Sequence, residues 1–310
     1  MEILKKMKEV KVFISVRHDN IIYWILKLRF MNLAFPVKVN FYFLSSIVGV
    51  LNLNTSLDRF SFYSAYINMD SFLISQESGH PIEKDFAFNN NVANAHVTVR
   101  LRFLRKVYGI LFTQLLLTSL CAGTMMMLKP VLLDNLQQNI WLPIVLIVST
   151  IGILLGLMWK RQETPTNFIL LYLFTICESI LVGYAVITYS ATVVLQAFIL
   201  TTIVVMSLML YTLNSKKDFS KWGVGLSVAF LILLLVGPIN LFLGSSLLEL
   251  CMAAGGACLF SLFIVYDTWR IMHHCSPEEY IMACVDLYLD ILNLFMYILR
   301  FLKEVQHNQG

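Results

Sequence analysis

From about residue 100 onward the chain carries a regular series of apolar segments, each about 20 residues long and almost without charge. A membrane-spanning helix needs roughly 20 such residues to cross a hydrocarbon core of about 30 Å. The connections between the segments are short, which leaves no room for a further soluble domain. We therefore predict an all-α membrane protein with six or seven transmembrane helices. The predicted helices lie near residues 107–128, 140–159, 168–189, 191–213, 222–243, 248–267 and 281–302.

The composition agrees with a chain that faces lipid. Hydrophobic residues make up 58% of the sequence and charged residues only 14%, which is too little charge to cover a soluble protein of this length. We therefore predict the lipid bilayer as the main partner. The net charge of +4 is spread over several loops, so we expect no nucleic-acid binding. The six cysteines lie mostly inside apolar segments, which indicates buried, reduced thiols rather than disulfides or a zinc site.

The first 85 residues differ from the remainder. They mix lysines with aromatic and apolar clusters, and their longest apolar run, residues 41–53, is too short to span a bilayer. We predict that residues 1–85 form a poorly ordered or interfacial extension. Residues 86–106 are predicted to form a cytosolic lead-in, and residues 107–305 the transmembrane domain.

The loop cations predict how the helices are oriented. Cytosolic loops of membrane proteins are enriched in Lys and Arg. About ten cations lie before the first helix and in the loops on the same side, whereas the opposite loops contribute only Lys129. We therefore expect the N-terminal side of the bundle to be cytosolic. The cations on that side are Arg100, Arg102, Arg105, Lys106, Lys160, Arg161, Lys216, Lys217, Lys221 and Arg270.

The last apolar segment leaves two topologies open. Seven full spans would place the C-terminal tail across the membrane, whereas Arg300 and Lys303 favour the cytosol. The segment also contains Asp286 and Asp290, which would suit a segment that enters the membrane and returns on the same side. Seven spans, and six spans with a re-entrant segment, both fit the sequence.

Small residues predict where helices approach each other closely. Gly152 and Gly156 form a G-x-x-x-G face in the second helix, and Gly255 with Gly256 allows another helix to approach the sixth. We expect these glycines to serve packing rather than chemistry.

Ionisable residues inside the apolar segments are the main candidates for function, because burying a charge in a bilayer is costly. Glu178 lies in the middle of the third segment, and Asp267 ends the sixth. Asp286 and Asp290 both lie in the last segment, and their spacing of four residues places them on one helix face. The alternatives are structural: contact with interfacial water for Asp267 and Asp286, and structural hydrogen bonding for Glu178.

Two of these acids are able to form a pair. If Asp267 meets Asp290 across the bundle, two like charges share a poorly hydrated site and cannot both ionise, so the pair holds one proton. Such a pair would lock two helices together when it is protonated and release them when it ionises, which is a gate. Asp267 and Asp290 are also the candidate metal ligands, because carboxylate oxygens bind calcium.

Several distinctive motifs follow one another in a fixed order between about residues 86 and 305. Those near the C-terminus surround the acids of the last two helices, and the others lie upstream. The C-terminal motifs are Val265-Tyr266-Asp267-Thr268, Ser276-Pro277-Glu278-Glu279-Tyr280, Leu287-Tyr288-Leu289-Asp290-Ile291 and Asn293-Leu294-Phe295. The upstream motifs are Phe103-Leu104-Arg105-Lys106-Val107-Tyr108, Gln196-Ala197-Phe198-Ile199-Leu200-Thr201-Thr202, Tyr211-Thr212-Leu213 and Ser215-Lys216-Lys217-Asp218-Phe219-Ser220-Lys221.

Together these motifs resemble the transmembrane Bax-inhibitor motif family, also called the lifeguard family, and most closely its Golgi anti-apoptotic branch. The resemblance implies a fold in which the helix that carries Asp290 is central and is ringed by the others. It also implies a pH-sensitive calcium leak from Golgi or endoplasmic reticulum stores, and protection against apoptosis. On the matching positions, Asp267 and Asp290 would form the carboxylate pair, and Glu178 and Glu278 would be candidates on the ion path.

Two features depart from the family pattern. Asp286 stands where relatives usually carry a neutral residue, so it is a further ion-path candidate that would alter the proton affinity of the pair. Residues 1–85 resemble nothing in the family, which usually has a short polar N-terminus.

The resemblance implies no cofactor and calcium as the transported ion. Its implied partners are apoptotic regulators, calcium-release channels or further copies of the chain. A non-conducting adaptor that regulates other channels or apoptotic proteins is the alternative function. An intramembrane aspartyl protease is a more remote one, because the second aspartate lacks the sequence context of such sites. The sequence contains no soluble catalytic motif or P-loop, so we expect no enzymatic activity.

Overall fold

The computed structural model describes residues 97–130, 141–276 and 278–307. In this part of the chain the regular secondary structure is entirely helical. The extension predicted at residues 1–85 lies outside the described residues, as does most of the lead-in predicted at residues 86–106.

Seven of the described helices are long and apolar enough to cross a membrane, so the chain is a multi-pass membrane protein. Many of their outward side chains are apolar, such as Phe112 and Ile203, which are 65% and 58% exposed, as expected for surfaces that face lipid. The prediction of an all-α membrane bundle is confirmed. The helices are α1 (Val97–Met127), α2 (Trp141–Trp159), α3 (Thr166–Val186), α4 (Ala191–Asn214), α5 (Trp222–Leu243), α6 (Ser246–His273) and α7 (Tyr280–His307).

The observed helix boundaries differ most from the predicted ones at α1 and α6. α1 begins at Val97 rather than near residue 107, because residues 97–106 contain neither Gly nor Pro and the helix continues past its apolar segment. α6 ends at His273 rather than near residue 267. Asp267 therefore lies within a continuous helix and not at its end.

α7 is the central helix of the bundle. Of its most apolar stretch 89% is buried, compared with 61% in α3 and 11% in α5. α7 packs against α6, α4, α1 and α3, whereas α2 packs mainly against α3, and α5 mainly against α6. The polar groups of α7 therefore face protein rather than lipid, as polar groups at membrane depth require.

The two ends of α7 lie at opposite ends of the bundle. At its start, Lys106 Nζ near the beginning of α1 lies 3.2 Å from the ring centroid of Tyr280 and 5.7 Å from that of Phe168, which begins α3. Towards its end, Lys303 Nζ lies 5.6 Å from the ring centroid of Tyr189, which follows the end of α3. α7 joins these ends without interruption over 28 residues, or about 42 Å. This geometry fits seven full spans rather than a re-entrant segment.

Gly256 is a point of close contact between α6 and α7. A Cβ atom added at this position would collide with the ring of Tyr297. The predicted close approach is therefore confirmed at Gly256, whereas Gly255 has open space around it. The close approach predicted for the G-x-x-x-G face of α2 is wrong, because Gly152 has no neighbour within 4 Å and Gly156 makes only an ordinary van der Waals contact.

Candidate functional site

Three acidic side chains are buried where α6 and α7 pack together. Asp267 and Asp290 are fully buried, and Asp286 is 3% exposed. α6 presents Asp267 within its last two turns, and α7 presents Asp286 and Asp290 one turn apart. Interfacial water does not explain side chains this deeply buried, so that alternative for Asp267 and Asp286 is wrong.

Arg270 links the two helices through these acids. Its guanidinium donates a hydrogen bond to Asp286 Oδ2 on α7 and lies 3.6 Å from Asp267 Oδ1 on its own helix. The prediction that Arg270 is a loop cation is wrong, because α6 continues to His273 and this side chain contacts an acid of α7. Asp267 and Arg270 are three residues apart, which places them on one helix face. This spacing is the sequence signal that could have predicted their contact.

Asp290 lies deeper along the same face of α7 as Asp286. Residues 286, 290, 293 and 297 follow the helical repeat, and both Asp286 and Tyr297 contact α6. Asn293 belongs to this face, and its Oδ1 is buried without a hydrogen-bond partner. We call Asp286, Asp290 and Asn293 the acid face of α7. The pairing of Asp267 with Asp290 stays a prediction.

Arg270 bridges two of the three buried acids. Its guanidinium contacts Asp286 and approaches Asp267, and Asp290 lies one turn deeper on α7. A buried carboxylate is stable only when a positive charge or a proton compensates it. One guanidinium compensates one full charge, so it balances only one of the two acids that it bridges when both are ionised. Chemically, the arrangement is suited to reversible uptake of a proton or a metal cation.

The described residues do not form a preorganised metal site around these acids. Among the residues that the structure describes, no three His, Cys, Asp or Glu side chains converge as metal ligands. Calcium usually takes six to eight oxygen ligands in proteins, so carbonyl or amide oxygens or water would have to complete a site at the acid face. Asn293 Oδ1 is a buried side-chain amide oxygen on that face. Calcium ligation by Asp267 and Asp290 stays a prediction.

Glu178 lies on the other side of α7. It is fully buried on α3 and interacts electrostatically with Tyr288 of α7. Tyr288 lies two residues after Asp286 and two before Asp290, which is about 200° around the helix from each. The structure therefore places Glu178 apart from the acid face.

Glu278 is exposed in the connection between α6 and α7. It lines a cleft of about 290 Å³ together with Lys106, Arg161, Asn167 and Tyr280. The cleft lies at the end of the bundle where α1 and α3 begin, so Glu278 is not part of the buried acid cluster. The place of Glu278 on the ion path stays a prediction.

The connection after α6 carries ionisable groups that lie outside the membrane-spanning segments. The ring centroid of His274 lies 4.9 Å from that of Trp269, and burial together with the nearby charge of His273 lowers the pKa of His274. Burial raises the pKa of the Cys275 thiol to about 12, so this cysteine stays neutral and unreactive near pH 7.

Comparison with known proteins identifies the family. Residues 100–307, which include nearly all of the seven described helices, match the model of a family described as inhibitors of apoptosis-promoting Bax1. The chain belongs to this Bax-inhibitor family. The resemblance predicted from the separated motifs around Asp267 and Asp290 is thus confirmed.

Several members of the Bax-inhibitor family are similar over most of their length. Protein lifeguard 4 of Mus musculus is 43% identical over 232 residues, which are 74% of this chain and 97% of that protein. Golgi anti-apoptotic protein of vaccinia virus (strain Lister) is 43% identical over 225 residues, 72% of this chain and 93% of the viral protein. Bax inhibitor 1 of Schizosaccharomyces pombe is 37% identical over 232 residues, 74% of this chain and 87% of the yeast protein. None of these names describes an enzyme.

Proposed function

We propose that this Bax-inhibitor family member lowers the calcium content of Golgi and endoplasmic reticulum stores through a pH-sensitive, calcium-permeable leak, and thereby inhibits apoptosis. The observation that carries the proposal is the set of three buried carboxyl groups on the α6–α7 helix pair, two of which Arg270 bridges. The names of the similar lifeguard and Golgi anti-apoptotic proteins support the cellular role and the organelle.

The geometry suggests how protonation would control the leak. With a proton on the cluster and Arg270 bridging Asp267 and Asp286, two of the three carboxylate charges are compensated, which favours packing of α6 against α7. Loss of that proton leaves an excess negative charge on the acid face, which repels the helices from each other and attracts calcium. The leak is therefore expected to increase as pH rises.

The orientation of the bundle follows from its loop cations. The α1 start and the α6–α7 connection lie at the same end, beside Lys106 and Arg161, so we place this end in the cytosol. Arg270, which is 30% exposed, lies at the cytosolic end of the acid cluster and would bring it within reach of cytosolic protons.

The function is tested in cells that lack the endogenous relatives. Wild-type protein should reduce the calcium released from stores by an ionophore and should increase survival after an apoptotic stimulus. Asp290→Asn should lose the calcium effect, whereas the loop variant Asp218→Asn should behave as wild type. Survival that is preserved by Asp290→Asn without any change in store calcium would contradict the leak and favour the adaptor.

A further inference from the structure

A buried polar column lies in the packing between α1 and α3. Gln114 Nε2 donates a hydrogen bond to Thr175 Oγ1 at 2.9 Å. One turn further along both helices, Thr118 Oγ1 and Ser179 Oγ are hydrogen-bonded at 3.0 Å. The hydroxyl of Tyr288 on α7 joins Thr118 Oγ1 at 2.8 Å. All five side chains are buried, so the column lies within the protein and not against lipid.

Glu178 lies beside the inner end of this column. It neighbours Ser179 in sequence and interacts electrostatically with Tyr288. Both of its carboxyl oxygens are fully buried without a hydrogen-bond partner. None of the ion pairs among the described residues includes it. Buried polar groups with a purely structural role are normally hydrogen-bonded, and the carboxyl group of Glu178 is not.

The ionisable groups around Glu178 supply no positive charge. On α3, Cys177 interacts electrostatically with Glu178. On α7, Tyr288 interacts electrostatically with Glu178 and with Cys121 of α1. α2 contains no ionisable side chain in Trp141–Trp159. Thiols and phenols are neutral near pH 7, so only a proton or an entering cation is able to compensate an ionised Glu178. Because no three acidic, His or Cys ligands converge in the described residues, the proton fits better than a metal ion.

The hydroxyls of the column are able to change their donor direction. Thr118 Oγ1 donates either to Gln114 O at 2.9 Å or along the chain of hydroxyls. Ser179 Oγ has the same choice, with Thr175 O at 2.6 Å as the alternative acceptor. Because these hydroxyls stay neutral whichever acceptor they use, the column supplies no charge that compensates Glu178.

We propose that Glu178 is a proton-binding site near the middle of the bundle, distinct from the acid face of α7. Binding forms one O–H bond on the carboxylate and breaks one O–H bond of a hydronium ion from the solvent, and release reverses this exchange. The neutral carboxylic acid is the form that buried surroundings without a cation favour. The proposal extends the proposed leak by adding a second intramembrane proton site, but the site is defined by proton binding and not by calcium flux.

Infrared difference spectroscopy on purified, reconstituted full-length protein tests the site. Wild type should show a protonated-carboxyl band in calcium-free buffer near neutral pH that Glu178→Gln lacks. Glu163→Gln, a matched change at a surface acid paired with Lys160, should retain the band. Asp290→Asn should also retain it, which separates this site from the gate. A spectrum that is unchanged in Glu178→Gln would overturn the proposal.

Transfer into heavy water gives a second test with Glu178 left in place. The band that Glu178→Gln lacks should shift to lower frequency as deuterium replaces the bound proton. A band that does not respond to heavy water would show that the carboxyl group carries no proton, and would overturn the proposal. Because neither readout depends on calcium, failure here leaves the calcium leak standing, and absence of a leak leaves this result standing.

Discussion

Arg270 on α6 donates a hydrogen bond to Asp286 on α7, sixteen residues further along the chain. The same guanidinium lies 3.6 Å from Asp267, so one side chain bridges an acid on each of two packed helices. Asp286 departs from the family pattern inferred from the sequence, and the bridge gives this extra acid a partner. We infer that Arg270 and Asp286 act as a unit that holds the end of α6 against α7.

Replacing Arg270 should therefore weaken the bundle. Arg270→Gln leaves two buried carboxyl groups without this cation, which should cost about 2 kcal/mol and lower the thermal unfolding temperature in detergent. The double variant Arg270→Gln/Asp286→Asn should recover part of the loss, because it removes one of the two carboxylate charges that Arg270 contacts.

Arg161→Gln provides the matched control for this prediction. Arg161 is about as exposed as Arg270, but its partner Glu279, at 3.2 Å, is 29% exposed, whereas Asp267 and Asp286 are buried. An ion pair whose acid reaches solvent contributes about 0–1 kcal/mol, so this variant should unfold close to the wild-type temperature. Equal effects of the two arginine substitutions would contradict a special role for Arg270.

The α6–α7 contact should also be sensitive to a single added methyl group at Gly256. Gly256→Ala would collide with the ring of Tyr297 and should destabilise the protein by about 1–3 kcal/mol. Gly255→Ala, one residue earlier and facing open space, should have little effect. Thermal unfolding of both variants measures the difference, and a loss of similar size at the two positions would refute the close contact.

Accessibility of introduced cysteines tests the seven-span topology. In a chain whose native cysteines are replaced by alanine, Lys217→Cys lies in the connection after α4 and Gln306→Cys lies at the end of α7. A membrane-impermeant maleimide applied to sealed vesicles should label only one of these positions, and permeabilised vesicles should show both. Labelling of both positions from the same side would support the re-entrant alternative.

The lowered pKa of His274 predicts a pH dependence of stability. In the unfolded chain this histidine takes up a proton near its ordinary value of 6.5, whereas in the folded chain it does so only at lower pH. The unfolded state therefore binds more protons between these values, and the free energy of unfolding should fall as pH drops below about 6.5. His274→Gln should flatten this part of a stability curve measured by thermal unfolding. If the stability of His274→Gln depends on pH as wild type does, His274 is not the source of this pH dependence.

The fold was largely predictable because bilayer thickness dictates segment length. Each of the seven apolar segments became a helix, and the central position of α7 follows the family resemblance. The helix boundaries were less predictable, since a helix rich in good helix formers continues beyond its apolar segment. This is why α1 starts at Val97 and α6 runs on to His273.

The candidate site was predictable only in part. The cost of burying charge identified Glu178, Asp267, Asp286 and Asp290, and all four are buried. Sequence spacing within one helix cannot show which side chain of another helix completes a contact, so the partner of Arg270 on α7 was not predicted. Arg270 itself was placed in a loop because the sixth helix was predicted to end near residue 267, whereas it continues to His273.

The column beside Glu178 was missed for a related reason. Gln114, Thr118 and Thr175 are ordinary polar residues of apolar helices when each is viewed alone. Their hydrogen bonds to each other depend on α1 and α3 running in the same direction, which brings residues about 60 positions apart in sequence to the same level of the bundle. Only tertiary packing shows this relationship.

The central claim is that this chain itself conducts calcium under the control of the buried acids. Calcium flux from proteoliposomes containing the purified protein, measured between about pH 6 and 8, tests it most directly. Wild type should show a leak that increases with pH, and Asp290→Asn should reduce it or abolish its pH dependence. Asp218→Asn, which changes an exposed acid held by the Ser220 backbone N–H at 2.9 Å, should match wild type. Absence of flux from well-folded wild-type protein, or an identical pH profile for Asp290→Asn, would contradict the account.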